Sequence, residues 1–146
     1  PNTQFDLIEM GFVLEHVDEP LELVRQYAKY LKPDGVICAA VPNALSMHRI
    51  LGHRANLLQD MYALSEWDHK LGHKRYYDKQ KFIDVFQESG LRISSFAGLM
   101  LKPFSTSQMK SLNLSQDVWT AFYSSGDLAP DFAYGLYVEA RRNVKD

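Results

Sequence analysis

The chain has 146 residues, a formal net charge of −2 and 46% hydrophobic residues. This length suits a single domain with a hydrophobic core, and the balanced charge lacks the basic stripe of a nucleic-acid-binding protein. No apolar run approaches the roughly 20 residues of a membrane helix, and no signal-peptide pattern opens the chain. The single cysteine, Cys38, excludes an internal disulfide and favours a cytoplasmic location, and its apolar neighbours predict a buried side chain.

The first third of the sequence predicts a strand–helix–strand unit. Residues 5–12 form a mostly apolar run without strict alternation, which is typical of a strand buried on both faces. A helix follows over about 19–31, with Asp18 as its expected N-cap and Pro20 in its first turn. The apolar run 35–41 predicts a second strand, parallel to the first because a helix connects them.

A second helix with a clear apolar face is predicted over 79–89. Asp78 precedes it as an N-cap and Gly90 follows it as a helix stop. Between the two halves, residues 44–66 have a mixed helical pattern and 72–77 are irregular.

The last third predicts two strands, over 91–100 and 132–142, that pair antiparallel. The connection between them is long and contains a helix around 117–123. Two segments, 44–73 and 102–131, are longer than typical connections, which favours a substrate cap.

Polar and flexible residues follow the first predicted strand. Met10, Gly11 and Phe12 end that strand, and Glu15 and His16 lie in the loop beyond it. Ligands of open α/β sheets bind just past the carboxyl ends of the strands, so this stretch predicts one side of a binding site.

Short motifs recur at the ends of the predicted elements. They are Glu15-His16-Val17, Leu31-Lys32-Pro33-Asp34-Gly35, Val41-Pro42-Asn43, Gly72-His73 with Tyr76, Glu88-Ser89-Gly90-Leu91 and Tyr137-Val138-Glu139-Ala140-Arg141. In this order they resemble the C-terminal half of a class I S-adenosylmethionine-dependent methyltransferase. The Glu-His-Val loop is similar to that of the ubiquinone-pathway O-methyltransferases.

The resemblance implies an α/β fold: a partial Rossmann-like methyltransferase sheet of two parallel strands plus a C-terminal antiparallel pair, with helices on both faces. It implies methyl transfer from S-adenosylmethionine to a small-molecule acceptor. The family's glycine-rich cofactor loop has no counterpart, because no G-x-G occurs in the sequence. Residues 1–146 are therefore expected to be a single, incomplete methyltransferase domain that binds cofactor weakly or not at all by itself.

The same resemblance assigns roles to seven residues. It implies that Met10, Gly11 and Phe12 face the cofactor, that Glu15 and His16 are catalytic, and that the substrate contacts are His73 and Tyr76. For His16 the role is either general base or orientation of a substrate hydroxyl. Each assignment also has an ordinary alternative. Gly11 is then an incidental glycine at a strand end, Glu15 a solvated loop acid, and His16 a surface or core histidine.

Metal binding is not expected from the sequence. Some relatives bind a divalent metal through the Glu-His pair plus an acid three positions earlier, and that position is Phe12 here. His69 and His73 have a helical spacing of four, but Gly72 between them weakens a helix. His48 and His53 are expected at the surface. Several aromatic residues form either a substrate wall or ordinary packing: Trp67, Tyr76, Tyr77, Trp119, Phe122 and Tyr123.

Two other classes of function remain open at this stage. Another doubly wound enzyme, such as a nicotinamide-dependent oxidoreductase, would also take its glycine-rich loop from upstream. A non-catalytic interaction module is the other class, and the first strand would then form homodimers through its open sheet edge.

Overall fold

The computed structural model describes residues 3–143, which form one mixed four-stranded sheet with helices. The strand order is β1-β2-β4-β3, with β1 parallel to β2 and β4 antiparallel to both of its neighbours. This arrangement confirms the predicted α/β class, with a parallel pair followed by an antiparallel C-terminal pair. The strands are β1 (Phe5–Gly11), β2 (Leu31–Pro42), β3 (Leu91–Leu99) and β4 (Gly135–Arg142).

Two helices cover the core side of the sheet. Val24 of α1 (Pro20–Ala28) and Phe82 and Phe86 of α4 (Lys79–Glu88) are fully buried in the main hydrophobic cluster. The two phenylalanine rings meet edge to face, with centroids 5.5 Å apart. Burial of these side chains against the strands fixes α4, and so fixes the irregular segment that precedes it.

The start of α1 differs from the prediction. Its N-cap is Glu19 and not Asp18, and the Glu19 side chain makes no capping hydrogen bond. Asp18 instead pairs with Lys74, which also lowers the pKa of the Asp18 carboxyl through their hydrogen bond and charges. The expectation failed because a distant lysine competes for the carboxylate.

The boundary between α1 and β2 also lies earlier than expected. The helix ends at Ala28, and the strand begins at Leu31, which is fully buried opposite Phe5. Gly35 passes so close to β1 that a Cβ there would lie 2.9 Å from the Phe5 carbonyl oxygen. Glycine is required at this position by the close approach of the two backbones.

The strand β1 lies at the edge of the sheet, so the expectation that it is buried on both faces is wrong. Phe5 is 47% exposed and Leu7 is 54% exposed, because β2 is the only described strand that pairs with β1. A groove of about 400 Å³ runs along this edge, lined by Phe5, Leu7, Ile8, Gln26, Tyr27 and Tyr30.

The long connections contain short helices. Residues 44–73 include α2 (Met47–Arg54) and α3 (Glu66–Leu71), and the segment from 72 to 77 is irregular as predicted. Residues 102–131 include α5 (Thr106–Ser111) and α6 (Gln116–Ser124). The last strand begins at Gly135 and not at 132, because Pro130–Phe132 forms a 3₁₀ turn. No helix within residues 3–143 has the length and apolarity needed to cross a bilayer.

Cys38 also departs from its predicted burial. Its neighbours Ile37 and Ala39 point into the core, and Cys38 is therefore only partly buried on the opposite face of β2.

The N-cap of α4 has the predicted form and provides a test of stability. Asp78 accepts hydrogen bonds from the Lys81 backbone N–H at 2.8 Å and from the Tyr62 hydroxyl at 2.5 Å. Burial opposes ionisation, but these hydrogen bonds hold the pKa of Asp78 below its ordinary value. The carboxylate therefore stabilises the fold above the ordinary aspartate pKa, and this stabilisation is lost as pH falls through the lower folded-state pKa.

We expect Asp78→Ala to lower the free energy of unfolding by about 1 kcal/mol at pH 7, measured by urea denaturation. Asp78→Asn is the matched control, because it keeps an acceptor for the Lys81 N–H and loses only the charge. The difference in free energy of unfolding between Asp78→Asn and the native chain should shrink as the pH falls from 5 to 2. A loss of stability that is the same at both pH values would contradict the role of the ionised cap.

The exposed edge of β1 predicts self-association. Unpaired backbone groups beside Phe5 and Leu7 offer a template for a second copy of the chain. We expect a concentration-dependent dimer by light scattering and its loss in Leu7→Lys. Leu57→Lys, at a position 80% exposed and far from β1 in sequence, is the control and should leave the dimer unchanged. A monomer at high concentration would contradict the prediction.

Candidate active site

A concave pocket opens beside the end of β1, against β2 on the face of the sheet that carries Cys38. It has a volume of about 270 Å³ and is lined by Glu9, Gly11, Phe12, Cys38, Ala39, Ala40, Leu99 and Tyr137. The walls are mostly apolar, which suits part of an organic ligand. Gly11 and Phe12, two of the three predicted cofactor residues, therefore line one pocket. The third, Met10, is 4% exposed and its side chain packs in the hydrophobic core, so only its backbone lies at this site.

The backbone of Phe12 turns sharply at the end of β1. Its φ of 54° lies in the left-handed region, which is uncommon for a residue with a large side chain. The Phe12 N–H still donates to the Ala40 carbonyl at 2.8 Å, so the turn is held against β2. On the far side, a Cβ added to Gly135 would lie 3.4 Å from Phe12 Cζ, so the ring lies against β4. These contacts hold the strained turn in place.

Five hydrogen bonds among the described residues join the loop after β1 to the segment before α4, one of them the Lys74–Asp18 side-chain pair already described, and we call this joint the clasp (residues 14–18 with 74–77). The Lys74 N–H donates to the Glu15 carbonyl at 2.7 Å, and the Tyr77 hydroxyl donates to the Leu14 carbonyl at 3.1 Å. The Arg75 guanidinium donates to the carbonyls of Val17 and Asp18, each at 2.9 Å. The clasp brings His73 beside Glu15 and His16, although the sequence separates them by more than fifty residues.

Glu15 is the most unusual polar residue of the site. It is fully buried, and neither carboxylate oxygen has a hydrogen-bond partner among the described residues. Burial raises the pKa of the Glu15 carboxyl, and the electrostatic effect of the neighbouring His16 offsets part of that rise. The Nε2 atom of His16 lies 3.9 Å from Glu15 Oε1, which is beyond hydrogen-bonding distance. A buried carboxylate without a partner is costly and calls for a ligand.

A second acid, Asp68 of α3, holds His73 and Tyr76. Its Oδ1 lies 3.0 Å from His73 Nδ1 and accepts from the Tyr76 hydroxyl at 3.1 Å. Its Oδ2 accepts from the backbone N–H and the hydroxyl of Ser65, at 2.7 and 2.6 Å. Burial opposes ionisation of Asp68, but the hydrogen bonds from Ser65 and Tyr76 hold its pKa below the ordinary value. Because an ionised carboxylate can only accept, this hydrogen bond requires a proton on His73 Nδ1.

Gly72 determines where His73 points. It ends α3 with a φ of 80°, so the chain leaves the helix before His73. His69 stays on the exposed side of α3 and does not pair with His73. The rings of His16 and His73 meet edge to face with centroids 4.8 Å apart. Four of the predicted site residues thus form one cluster: Glu15, His16, His73 and Tyr76.

A cationic group that sequence reasoning missed lies around Tyr134. Lys102 is 4% exposed, with its Nζ 4.0 Å from the Tyr134 ring centroid and 3.0 Å from Thr106 Oγ1. Burial lowers its pKa to about 8. The ring of His48 lies 6.0 Å from that of Tyr134, and burial lowers the pKa of His48 to about 3. The surface position expected for His48 is therefore wrong, whereas His53 is exposed as expected. The apolar neighbours of Lys102 in the sequence were the one available signal.

The aromatic residues do not form a single wall. Tyr77 is buried in the core, whereas Trp67 and Tyr123 are 65% and 59% exposed. Tyr76 alone belongs to the polar cluster, where its ring also lies 4.0 Å from the guanidinium carbon of Arg49. Most of these aromatic residues therefore either pack in the core or lie exposed on the surface.

Comparison with known proteins gives an independent view of the fold. In solved structures the chain is similar to an S-adenosylmethionine-dependent methyltransferase from Mesorhizobium loti, with 17% identity and a TM-score of 0.59 over 97% of this chain and 63% of that one. It is also similar to a Thermotoga maritima protein described as an S-adenosylmethionine-dependent methyltransferase and possible histamine N-methyltransferase, with 14% identity and a TM-score of 0.58 over 97% of this chain and 57% of that one. At these identities the likeness concerns the fold, and the chain spans about three fifths of the length of both proteins.

No curated protein sequence matches the chain. A family model described as "Methyltransferase domain" matches residues 1–95, which is more than half of the 146 residues. The chain therefore belongs to the methyltransferase domain family.

Proposed function

We propose that the chain is the C-terminal part of a catalytic domain that transfers a methyl group from S-adenosylmethionine to a small-molecule acceptor. The observation that carries this proposal is the position of the open Gly11–Phe12 pocket, which lies only three residues before the buried Glu15 carboxylate. One apolar pocket and one polar cluster at the same strand end suit two ligands that must meet. The family membership supports the same reaction class.

The pocket fits part of the cofactor. Its volume of about 270 Å³ lies just below the range of complete small-molecule sites, and its walls are apolar. Gly11 and Phe12 would line the cofactor, and Met10 would contribute only backbone groups. A cofactor loop outside these residues would complete the site, since the sequence has no G-x-G. S-adenosylmethionine, when bound, supplies an electrophilic methyl group on a sulfonium.

The polar cluster would hold the acceptor. Glu15 and His16 would orient its nucleophilic atom, and His73 and Tyr76 would line the space around it. The acceptor lone pair would form the new bond to the methyl carbon as the carbon–sulfur electron pair returns to sulfur, and the acceptor proton would pass to His16 as general base. Positioning and exclusion of water provide most of the acceleration in such a displacement. The segments 44–73 and 102–131 would cap the acceptor.

Two finer assignments belong to this proposal. The Glu15-His16-Val17 motif favours the ubiquinone-pathway O-methyltransferase branch, and hence an oxygen nucleophile. The single Cys38 favours a cytoplasmic location.

A calorimetric titration tests the reaction class. The chain is extended upstream with its native sequence and titrated with S-adenosylhomocysteine and, separately, with NADH. We expect S-adenosylhomocysteine to bind and NADH not to bind. Gly11→Leu should weaken S-adenosylhomocysteine at least tenfold, because the new side chain fills the pocket.

Gly52→Leu is the matched control for this titration. Gly52 lies on α2, where a Cβ would only touch Leu58 Cβ at 3.8 Å, and the variant should bind S-adenosylhomocysteine like the native chain. Tight NADH binding without any response to S-adenosylhomocysteine would favour an oxidoreductase and contradict the proposal.

A further inference from the structure

We propose that Lys102 is the specificity-determining residue of the acceptor site and selects acceptors that carry a carboxylate. This inference rests on the proposed function, because it concerns the acceptor of the same methyl transfer. Lys102 lies three residues after β3, at the end of the sheet where β1 and β2 also end. It opens the segment 102–131, which would cap the acceptor under the proposed function.

The backbone holds Lys102 beside Tyr134. Met100 follows β3 with a φ of 58°, in the left-handed region, and its carbonyl accepts from the Tyr134 N–H at 2.8 Å. Residues with side chains rarely adopt this conformation, so the turn that leads into Lys102 is strained. The Tyr134 carbonyl accepts from the Asn43 N–H at 3.0 Å, just beyond β2. With Tyr134 fixed in this way, the Nζ atom of Lys102 lies 4.0 Å from its ring centroid.

The ammonium group of Lys102 is buried without a counter-ion. The residue is 4% exposed, and none of the ion pairs between residues 3–143 includes it. An ammonium has three N–H donors, and in this part of the chain Thr106 Oγ1 is its one hydrogen-bond acceptor, at 3.0 Å. Burial lowers the pKa of Lys102 to about 8, so the side chain is mostly protonated at pH 7. Buried charges in proteins are normally paired, so an anion is the partner that this group lacks.

The other charges beside Lys102 are balanced or absent. The guanidinium carbon of Arg49 lies 4.0 Å from the Tyr76 ring centroid, and Asp68 accepts from the hydroxyl of the same tyrosine at 3.1 Å. Burial, together with the charges of Lys102 and Arg49, lowers the pKa of His48 to about 3, so this imidazole is neutral at pH 7. One unbalanced positive charge suits a carboxylate better than a phosphate group, which carries close to two negative charges.

Tyr134 connects Lys102 to the polar cluster. Burial and the carboxylates of Asp68 and Glu15 raise the pKa of the Tyr134 hydroxyl, so both acids act on the residue that Lys102 contacts. Tyr134 and His16 are partly exposed, whereas Lys102 is buried. An acceptor that lies over the exposed rings would present its nucleophilic atom to His16 and its carboxylate to Lys102. A neutral analogue would leave the buried ammonium unpaired, and this cost is the source of the selectivity.

Isothermal titration calorimetry measures this selectivity on the upstream-extended chain, with and without S-adenosylhomocysteine. The probes are para-hydroxyphenylacetate and para-hydroxyphenylpropanoate, each compared with its neutral methyl ester. Both acids carry a hydroxyl nucleophile and a carboxylate, at two different spacings. We expect at least one acid to bind roughly tenfold more tightly than its ester, because only the acid forms a charge-assisted hydrogen bond with Lys102.

Lys102→Met removes the charge, keeps an unbranched side chain and should abolish the preference for the acid. Lys110→Met is the matched control, because Lys110 is an exposed lysine on α5, and this variant should keep the native preference. Lys102→Met should also raise the melting temperature of the unliganded chain, because it removes an unpaired buried charge. The exposed Thr106 hydroxyl can bond to water in that variant. A lysine that only supported the fold would give the opposite shift.

Four results would each overturn the proposal. They are equal binding of acids and esters by the native chain, no binding of either acid, an acid preference that survives in Lys102→Met, and a lower melting temperature of that variant. The titration with S-adenosylhomocysteine separates this inference from the proposed function. Binding of S-adenosylhomocysteine without any acid preference would contradict the role of Lys102 alone. A retained acid preference without S-adenosylhomocysteine binding would instead contradict methyl transfer.

Discussion

The site depends on the clasp between the loop after β1 and the segment before α4. The Glu15 carbonyl accepts a hydrogen bond from the Lys74 backbone N–H, which joins the two main chains directly. The Leu14 carbonyl accepts a second one from the Tyr77 hydroxyl. Burial of Phe82 and Phe86 anchors α4, and the clasp carries this rigidity into the loop. His73 reaches Glu15 because of these bonds and not through any local preference.

The energetic cost of the site is concentrated next to the clasp. Phe12 adopts a left-handed φ, and Glu15 is buried with no hydrogen-bond partner for its carboxylate within residues 3–143. Burial raises the pKa of Glu15 in the folded chain, so ionised Glu15 destabilises the folded state. This destabilisation grows as the pH rises from the ordinary carboxylate pKa to the raised folded-state pKa. Such local conflicts are typical of functional sites, where the surrounding structure compensates for them.

Local patterns in the sequence predicted the parts of the molecule that depend on local chemistry. The Asp78 cap, the Gly90 stop and the parallel β1–β2 pair follow from spacing and turn residues alone. The exposure of β1, the pairing of Asp18 with Lys74 and the contact of His73 with Asp68 depend on partners that are distant or differently placed in the fold. Tyr76 lies in the cluster beside His73, and its partner Asp68 was missed because a capping-box acid ordinarily satisfies only its own helix.

Opposite charges lie close together in the cleft, and this limits what Glu15 can do. Lys102 and Arg49 place buried positive charge on the rings of Tyr134 and Tyr76. Burial and the carboxylates of Asp68 and Glu15 raise the pKa of the Tyr134 hydroxyl, so negative charge acts on the same ring. A sulfonium is cationic, so a free Glu15 carboxylate nearby would favour its binding. Under the proposed function, ionised Glu15 would therefore attract the methyl donor, whereas the positive charges of Lys102 and Arg49 would oppose its binding.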